Sequence, residues 1–208
     1  MVENQPPPPP PAPSAAKSAL RRELLAARRA LSPDLLRTSA RALSRSAREL
    51  PELADAHTVA AYVSIGSEPG TRELIDALRA AGKRVLLPVL LPGNDLDWAL
   101  YEGPGSLAEA AHAGKMTLLE PAGPRLGPDA VTGADAVLLP GLAVDRRGMR
   151  LGRGGGSYDR VLERLERAGA HPALVVLLYD NEVVARVPEE PHDHPVRAVA
   201  TPSGVVRF

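Results

Sequence analysis

The chain has 208 residues, with 25 Lys and Arg against 25 Asp and Glu, so its formal net charge at pH 7 is zero. Because this balance gives no general attraction to polyanions and only 3% of residues are aromatic, the composition argues against a protein that binds nucleic acid through a basic, stacking surface. The chain has no cysteine and no apolar run near the roughly 18 residues of a membrane span, which excludes disulfides and predicts a cytoplasmic protein without membrane partners.

The chain begins with a proline-rich segment, "MVENQPPPPPPAPSA", in which seven prolines fall within the first 13 residues. Such a segment favours an extended polyproline conformation and cannot join a packed core, so we predict a disordered tail over residues 1–15. It has neither the basic start nor the apolar run of a targeting signal. The remainder, residues 16–208, is predicted to form one domain.

Two helices are predicted first after the tail. One runs through "KSALRRELLAARRAL", starting at Ser14 or a neighbour. The second begins at "SPDLL", where Ser32 is a good cap and Pro33 suits the first helical turn.

Apolar strands and amphipathic helices then alternate along the chain. Predicted strands cover residues 57–65, 83–90, 96–102, 135–140 and 172–179, and predicted helices cover residues 71–82 and 157–169. The continuous Val and Leu runs indicate strands covered on both faces. The sequence therefore predicts an α/β fold, a three-layer sandwich with a mostly parallel central sheet, whose ligands bind at the carboxyl ends of strands.

A glycine-rich loop, "RLGRGGGSYD" at residues 150–159, separates the strand "DAVLLP" from the last predicted helix. Bare amides at a helix N-terminus bind anions, and Arg150 and Arg153 add positive charge for a phosphate. Asp159 supplies a carboxylate that suits magnesium, although an acidic residue in a first turn also complements the helix dipole. The spacing fits neither the Walker A pattern nor the dinucleotide fingerprint, so a flexible surface loop stays open as the alternative.

Several stretches together resemble one enzyme family. "LLPGLAVDRRGMRLGRGGGSYDRVL" looks like the signature of the 5-formyltetrahydrofolate cyclo-ligases, and "KSALR" matches a Lys and an Arg four apart in that family's first helix. "SEPGT" matches a glutamate in a strand-exit loop, and "HDHPVRAVAT" matches a His-Asp pair before the last strand. The resemblance covers nearly everything after residue 16.

The resemblance implies an α/β enzyme that binds magnesium-ATP and a reduced folate. In that reaction the formyl oxygen attacks the γ-phosphate and an iminium phosphate forms; N10 of the folate then attacks the formyl carbon. Phosphate leaves, and 5,10-methenyltetrahydrofolate is released with ADP. Such phosphoryl transfer depends mainly on positioning and on neutralising charge, which the glycine amides, arginines and magnesium suit.

The resemblance also implies roles for individual residues. The catalytic residues are Arg150, Arg153 and Asp159, and the magnesium ligands are Asp159 and Asp193. ATP is bound by Lys17, Arg21, Arg150, Leu151, Gly152, Arg153, Gly154, Gly155, Gly156, Ser157 and Tyr158. The folate is bound by Val63, Glu68, Arg153, Gly154, Gly155, Gly156 and Ser157.

Without the resemblance, these residue types have ordinary interpretations. Lys17 and Arg21 on one helix face predict a solvated basic face, and Glu68 in its Gly/Pro loop predicts an exposed carboxylate. Asp145 fits a turn, and Trp98 fits the core better than a folate pocket. His192 and His194 are too few for a metal site and indicate a polar loop.

One position departs from the family pattern, and it leaves the substrate open. Many members read Gly-Tyr-Tyr-Asp where this chain has Ser157 after Gly156, so an aromatic wall of the folate pocket is predicted to be missing. Two alternatives therefore remain: a paralogue that acts on another carboxamide-like substrate, and a non-catalytic nucleotide-binding regulator. Glu68 and Asp193 argue against the regulator, which needs neither. We expect a monomer.

Overall fold

A seven-stranded sheet lies at the centre of the fold. A computed structural model describes the chain at residues 13–112, 116–190 and 193–208. Its strand order is β12-β11-β9-β6-β1-β2-β3. The strands are β1 (Thr58–Ala60), β2 (Arg84–Leu90), β3 (Leu96–Leu100), β4 (Leu107–His112), β5 (Met116–Pro121), β6 (Ala136–Pro140), β7 (Ala143–Asp145), β8 (Arg150–Leu151), β9 (Ala173–Leu177), β10 (Val183–Val184), β11 (Ala198–Thr201) and β12 (Gly204–Arg207).

The predicted mostly parallel sheet is confirmed. Strand β1 pairs in parallel with β2 and β6, β6 pairs in parallel with β9, and β9 with β11. Only the edge strands β3 and β12 run antiparallel to their neighbours within this sheet. The carboxyl ends of five parallel strands, β1, β2, β6, β9 and β11, consequently lie along one edge.

Helices cover both faces of the sheet, which confirms the three layers. They are α1 (Pro13–Arg29), α2 (Pro33–Arg48), α3 (Pro51–Ala54), α4 (Arg72–Ala80) and α5 (Ser157–Arg167). Helices α2, α3 and α4 pack on one face through residues such as Leu43, Leu53 and Ile75. Helix α5 packs on the other through Val161 and Leu165, where Trp98 is fully buried, so its predicted core role is confirmed.

The two N-terminal helices were predicted correctly, with one shift of boundary. Helix α1 begins at Pro13, inside the segment assigned to the tail, because proline is tolerated in a first helical turn. Residues 1–12 lie outside the described residues. Ser32 caps α2 as predicted, and its side chain accepts a hydrogen bond from the Leu35 amide at 3.2 Å.

A buried ion pair fixes α1 to the rest of the fold. The Arg28 guanidinium donates to Glu182 at 2.6 Å from Nε and to the Gly141 carbonyl at 2.7 Å. Leu24 packs beside them against Leu142 and Leu151. Because α1 is anchored at Arg28, Lys17 and Arg21, about three and two turns nearer its N-terminus, are held over the residues that follow β6.

Three parts of the sequence prediction were wrong. Strand β1 ends at Ala60 rather than at residue 65, because the chain leaves the sheet to form a loop at its carboxyl edge. The hairpin β4-β5 was not predicted. The segment 141–156 was treated as one loop, yet it contains β7 and β8, which form a small sheet with β10.

Asp145, at the end of β7, forms a turn as predicted. Its fully buried carboxylate accepts hydrogen bonds from the amides of Arg147, Met149 and Val187. These bonds outweigh the cost of burial and lower the pKa of Asp145. Among the described residues, no helix is both long enough and apolar enough to span a membrane.

Candidate active site

Two cavities lie at the carboxyl ends of β1 and β6 and share one wall. The smaller, of about 230 Å³, is lined mainly by charged side chains and glycines, and we call it the polar cavity. The larger, of about 620 Å³, is lined mainly by apolar groups, and we call it the apolar cavity. The residues that line both are Arg150, Gly152, Gly154, Gly156 and Asp159. The glycine loop is therefore the partition between the two cavities.

The backbone of the glycine loop, residues 152–156, leaves its amides available to a ligand. Within the described residues, none of these N–H groups donates a hydrogen bond to another protein group, and Gly156 caps α5 without a side-chain bond. Gly154 and Gly156 have φ angles of 94° and 77°, a region that favours glycine. Free amides at a helix N-terminus form an anion site, which is what the sequence predicted here.

Lys17 lies in the polar cavity and is buried. Its Nζ contacts Asp193 at 2.6 Å and Glu190 at 2.7 Å. Burial disfavours the ammonium form, but the two carboxylates outweigh it and raise the pKa of Lys17. The interpretation of this helix face as solvated and basic was therefore wrong, because α1 lies against the acidic segment that follows β10.

Arg21 reaches the glycine loop from the same helix. Its Nε donates a hydrogen bond of 2.9 Å to the Gly152 carbonyl, and its guanidinium lies beside Gly154. A Cβ at Gly154 would meet the guanidinium carbon of Arg21 at 3.5 Å, so the loop and this cation are in direct contact. Arg21 thus adds positive charge next to the free amides.

Arg150 lies between the two cavities with only 7% of its side chain exposed. It donates to the Pro140 carbonyl at 3.0 Å and to Asp159 at 3.0 Å, while its Nε is buried without a partner in the described residues. Burial lowers the pKa of Arg150, and the neighbouring Asp159 opposes that shift. Asp159 itself is about half exposed at the first turn of α5 and so remains open to a ligand.

Glu68 lines the apolar cavity and is buried, so its interpretation as an exposed carboxylate was wrong. One carboxylate oxygen accepts a hydrogen bond from the Ile65 amide at 2.8 Å, and the other pairs with Arg153 at 3.0 Å. The loop holding it is fixed by Thr71, whose hydroxyl donates to the Tyr62 carbonyl at 2.7 Å. Only one oxygen of Glu68 can therefore exchange its partner for a ligand.

Two tyrosines line the apolar cavity beside the glycine loop. The rings of Tyr62 and Tyr158 meet edge to face, with centroids 6.5 Å apart and planes at 72°. Both hydroxyls are buried without a hydrogen-bond partner in the described residues, and burial raises the pKa of each. Ser157 lines the same cavity but not the polar one, so aromatic surface is present here although position 157 supplies none.

The structure brings together the residues that the resemblance assigned, and it distributes them between the two cavities. Those lining the polar cavity are Lys17, Arg21, Arg150, Leu151, Gly152, Gly154, Gly156, Asp159 and Asp193. Those lining only the apolar cavity are Val63, Glu68, Arg153, Gly155, Ser157 and Tyr158. Arg153, Gly155 and Ser157 were assigned to both ATP and the folate, and Tyr158 was assigned to ATP alone, yet Tyr158 lines only the apolar cavity; the ligand of each stays a prediction.

The histidine segment gives no metal centre among the residues described. His192 lies outside the described residues, and His194 lines the polar cavity 3.8 Å from Glu166. Within the described ranges, no three His, Cys, Asp or Glu side chains lie close enough together to hold a metal ion. Asp159 and Asp193 line one cavity, but they are paired with Arg150 and Lys17.

Sequence reasoning missed several lining residues. The polar cavity includes Glu163 and Glu190, and the apolar cavity includes Tyr62, Pro88, Leu90, Asn94, Leu96 and Thr117–Glu120. The hairpin residues lie against β2, where the Leu90 amide donates to Glu120 at 2.9 Å. The glycine in "AGK" between two short segments was the one sequence signal for this hairpin, because glycine is typical of hairpin connections, but the segments themselves do not alternate apolar and polar residues.

Comparisons with known proteins show the family to which the chain belongs. The model of the 5-formyltetrahydrofolate cyclo-ligase family matches residues 13–202. The chain is 43% identical over 157 residues to the 5-formyltetrahydrofolate cyclo-ligase of Mycolicibacterium smegmatis, covering 72% of this chain and 76% of the relative. It is 35% identical over 183 residues to that of Escherichia coli K12, covering 86% and 96%. The NMR structure of Aquifex aeolicus 5,10-methenyltetrahydrofolate synthetase superimposes with a TM-score of 0.74 at 30% identity, covering 92% of each chain.

Proposed function

The chain belongs to the 5-formyltetrahydrofolate cyclo-ligase family, and from that premise we propose that ATP occupies the polar cavity and the folate occupies the apolar one. The enzyme is a ligase that uses ATP to cyclise 5-formyltetrahydrofolate to 5,10-methenyltetrahydrofolate. The observation that carries the proposal is the shared wall of glycines with Arg150 and Asp159. A group transferred from a nucleotide to a folate has to pass between the two cavities at that wall.

The polar cavity suits the phosphates of ATP. Lys17 and Arg21 approach from α1, and the free amides of residues 152–156 approach from the loop. Arg150 and the positive end of the α5 dipole add to the neutralisation of phosphate charge. Hydrogen bonds already place Arg21 against the Gly152 carbonyl and Arg150 against the Pro140 carbonyl, so both cations lie close to where phosphate charge would develop.

The residues present fit a magnesium ion that enters with the nucleotide. Asp159 and Asp193 line the same cavity and would offer carboxylate oxygens, the hard donors that magnesium prefers, beside the phosphates of the nucleotide. Each carboxylate would exchange its present cation, Arg150 or Lys17, for the ion. When bound, magnesium supplies charge neutralisation between the β- and γ-phosphates.

The apolar cavity suits the folate. Its volume of about 620 Å³ lies in the usual range for small-molecule sites, and Tyr62 and Tyr158 offer ring surface to a pterin. Glu68 would accept hydrogen bonds from the amino-pyrimidine edge of the pterin, because an ionised carboxylate only accepts. Arg153, which now donates to that carboxylate at 3.0 Å, would break this hydrogen bond when the pterin binds and turn towards the phosphates.

The proposed reaction has two steps, phosphoryl transfer and ring closure. The formyl oxygen attacks the γ-phosphorus while the bond to the ADP oxygen breaks, giving an iminium phosphate. The folate N10 attacks the formyl carbon, the carbon–oxygen bond breaks with its electrons leaving on phosphate, and the N10 proton is lost. The loop amides and Arg150 stabilise the oxygens on which negative charge develops in both steps.

We also propose that the enzyme acts as a monomer in the cytoplasm. Every role proposed above is filled by residues of a single chain, so the proposed chemistry requires no second copy. A chain without cysteine, acting on a reduced folate, suits a reducing compartment, which supports the cytoplasmic location.

Inhibition kinetics test whether each substrate has its own cavity. ADP should compete with ATP and should not compete with 5-formyltetrahydrofolate, because it fills only the polar cavity. A folate analogue without the formyl group should show the reverse pattern. ADP that competes with both substrates would contradict two separate cavities.

Substitution of Ser157 by Tyr should affect the folate alone. Ser157 lines the apolar cavity and not the polar one, and an added ring there would extend the surface of Tyr62 and Tyr158. Stacking contributes about 0.5 to 1.5 kcal/mol, so KM for the folate should fall about two- to tenfold while KM for ATP stays unchanged. Steady-state kinetics with each substrate varied in turn measure both. An equal effect on ATP would remove position 157 from the folate wall.

A further inference from the structure

We propose that Asn94 is a positioning residue that sets the direction of the Gly156 amide by holding the Gly155 carbonyl. The proposal rests on the proposed function, in which the loop amides bind the transferring phosphoryl group. Asn94 lies in the turn between β2 and β3, some 60 residues before the loop in sequence, and nothing in the glycine-loop motif points to it.

The contact is a single side-chain hydrogen bond. Asn94 donates from Nδ2 to the Gly155 carbonyl at 3.2 Å. Among the described residues, only one other side chain holds a carbonyl of this loop, Arg21 on Gly152. A Cβ placed on Gly155 would meet nothing within 4 Å, so packing does not restrain this part of the loop. Its orientation consequently depends on the hydrogen bond.

Peptide geometry transmits that bond to the amide. In a planar trans peptide the C=O of one residue and the N–H of the next point in opposite directions. When Asn94 holds the Gly155 carbonyl oxygen, that oxygen points towards Asn94. The Gly156 N–H of the same peptide then points away from Asn94. Gly156 lines both cavities and precedes α5, so its amide is placed where an oxyanion between ATP and folate would accept from it.

The turn that carries Asn94 is itself fixed relative to α5. Asn94 has a φ of 62° and is the one non-glycine residue in the described ranges with a positive value. Asparagine tolerates that conformation better than other side chains do. Next to it, Asp95 forms two hydrogen bonds with Arg164 of α5, at 3.2 and 2.9 Å. The turn that carries the donor is thus hydrogen-bonded to the helix that begins at the loop.

The two tethers of the loop come from opposite sides. Asn94 lines the apolar cavity, whereas Arg21 lines the polar one. Loss of Asn94 should therefore loosen the amide that faces the reacting group, while the groups proposed above to bind ATP and the folate, among them Arg21 and Glu68, stay in place. The expected result is a fall in kcat, with each KM little changed.

Two substitutions test this, because they remove the donor in different ways. Asn94→Gly keeps the positive φ and deletes the amide, and Asn94→Asp keeps the shape but offers a carboxylate that cannot donate to a carbonyl. Each should lower kcat about two- to tenfold, the factor that one net hydrogen bond is worth, with both KM values within about twofold. Asn181→Gly, at an exposed asparagine that lines neither cavity, should leave kcat unchanged.

A second measurement does not depend on turnover. Inorganic phosphate titrated into ¹⁵N-labelled protein should shift the Gly156 amide signal, and the shift should be at least halved in Asn94→Gly. An unchanged kcat in Asn94→Gly, impairment of Asn94→Asp alone, or a fall in kcat that only follows a lowered melting temperature would overturn the positioning role. An equal phosphate response in both proteins would overturn the positioning role, whether or not the wild type forms the methenyl product. A wild type that forms no methenyl product would instead contradict the proposed function.

Discussion

Replacing Asp159 by Asn is expected to lower kcat by about a hundredfold to a thousandfold, the usual effect of losing one electrostatic partner of a transition state. Asn keeps the shape of the side chain but is a poor magnesium ligand, and it no longer balances the charge of Arg150, which contacts it at 3.0 Å. High magnesium should restore part of the activity. The carboxylate is 56% exposed and so is screened by solvent, but its partner Arg150 is only 7% exposed, so the melting temperature should fall by no more than a few degrees.

The matched control is Asp129→Asn. Asp129 is also an exposed aspartate paired with an arginine of α5, Arg164, at 3.0 Å, but it lines neither cavity. Its variant should keep full activity. Steady-state kinetics across a magnesium series, together with thermal melts, separate the two residues. Normal turnover by Asp159→Asn, or a loss that magnesium does not affect, would remove Asp159 from the metal site.

Replacing Glu68 by Gln is expected to raise KM for the folate about ten- to a hundredfold and to leave KM for ATP nearly unchanged. Gln retains an oxygen for the Ile65 amide, so the loop should persist, but the charge that would hold the pterin amino group is lost. Hydrogen bonds to charged groups are worth roughly 1.5 to 3 kcal/mol, which sets this range. The pair with half-exposed Arg153 should add little stability.

Glu52→Gln is the control for this substitution. Glu52 is a partly buried glutamate that pairs with Arg207 at 2.8 Å, away from both cavities. Equilibrium binding of 5-formyltetrahydrofolate without nucleotide, followed by kinetics with each substrate varied, gives both affinities. If Glu68→Gln weakened ATP as much as folate, Glu68 would act through the glycine loop rather than on the pterin.

Local features of this site were predictable from the sequence. The strand that becomes β6, the glycine loop and α5 follow one another along the chain, so apolar runs, glycines and a helical pattern suffice to place them. The Ser32 cap and the turn at Asp145 were equally local, since each depends on bonds within a few residues. Such features carry their own signal in composition and spacing.

Contacts between distant segments were not predictable in this way. The burial of Lys17 depends on Glu190 and Asp193, more than 170 residues away, and Glu68 is buried against Arg153, 85 residues away. No local pattern distinguishes such residues from solvated ones. The resemblance assigned their roles, but the fold explains how they come together. Asn94 carried neither a pattern nor a family match, because its function depends on a backbone contact.

Formation of the methenyl product tests the central claim most directly. The protein is mixed with 5-formyltetrahydrofolate, ATP and magnesium, and the near-ultraviolet absorbance band of 5,10-methenyltetrahydrofolate is recorded beside the release of ADP. We expect the band to appear only when the folate, ATP and magnesium are all present, with one ADP formed for each methenyl group. ADP release that does not depend on the folate, or a band that forms without ATP, would contradict transfer between the two cavities.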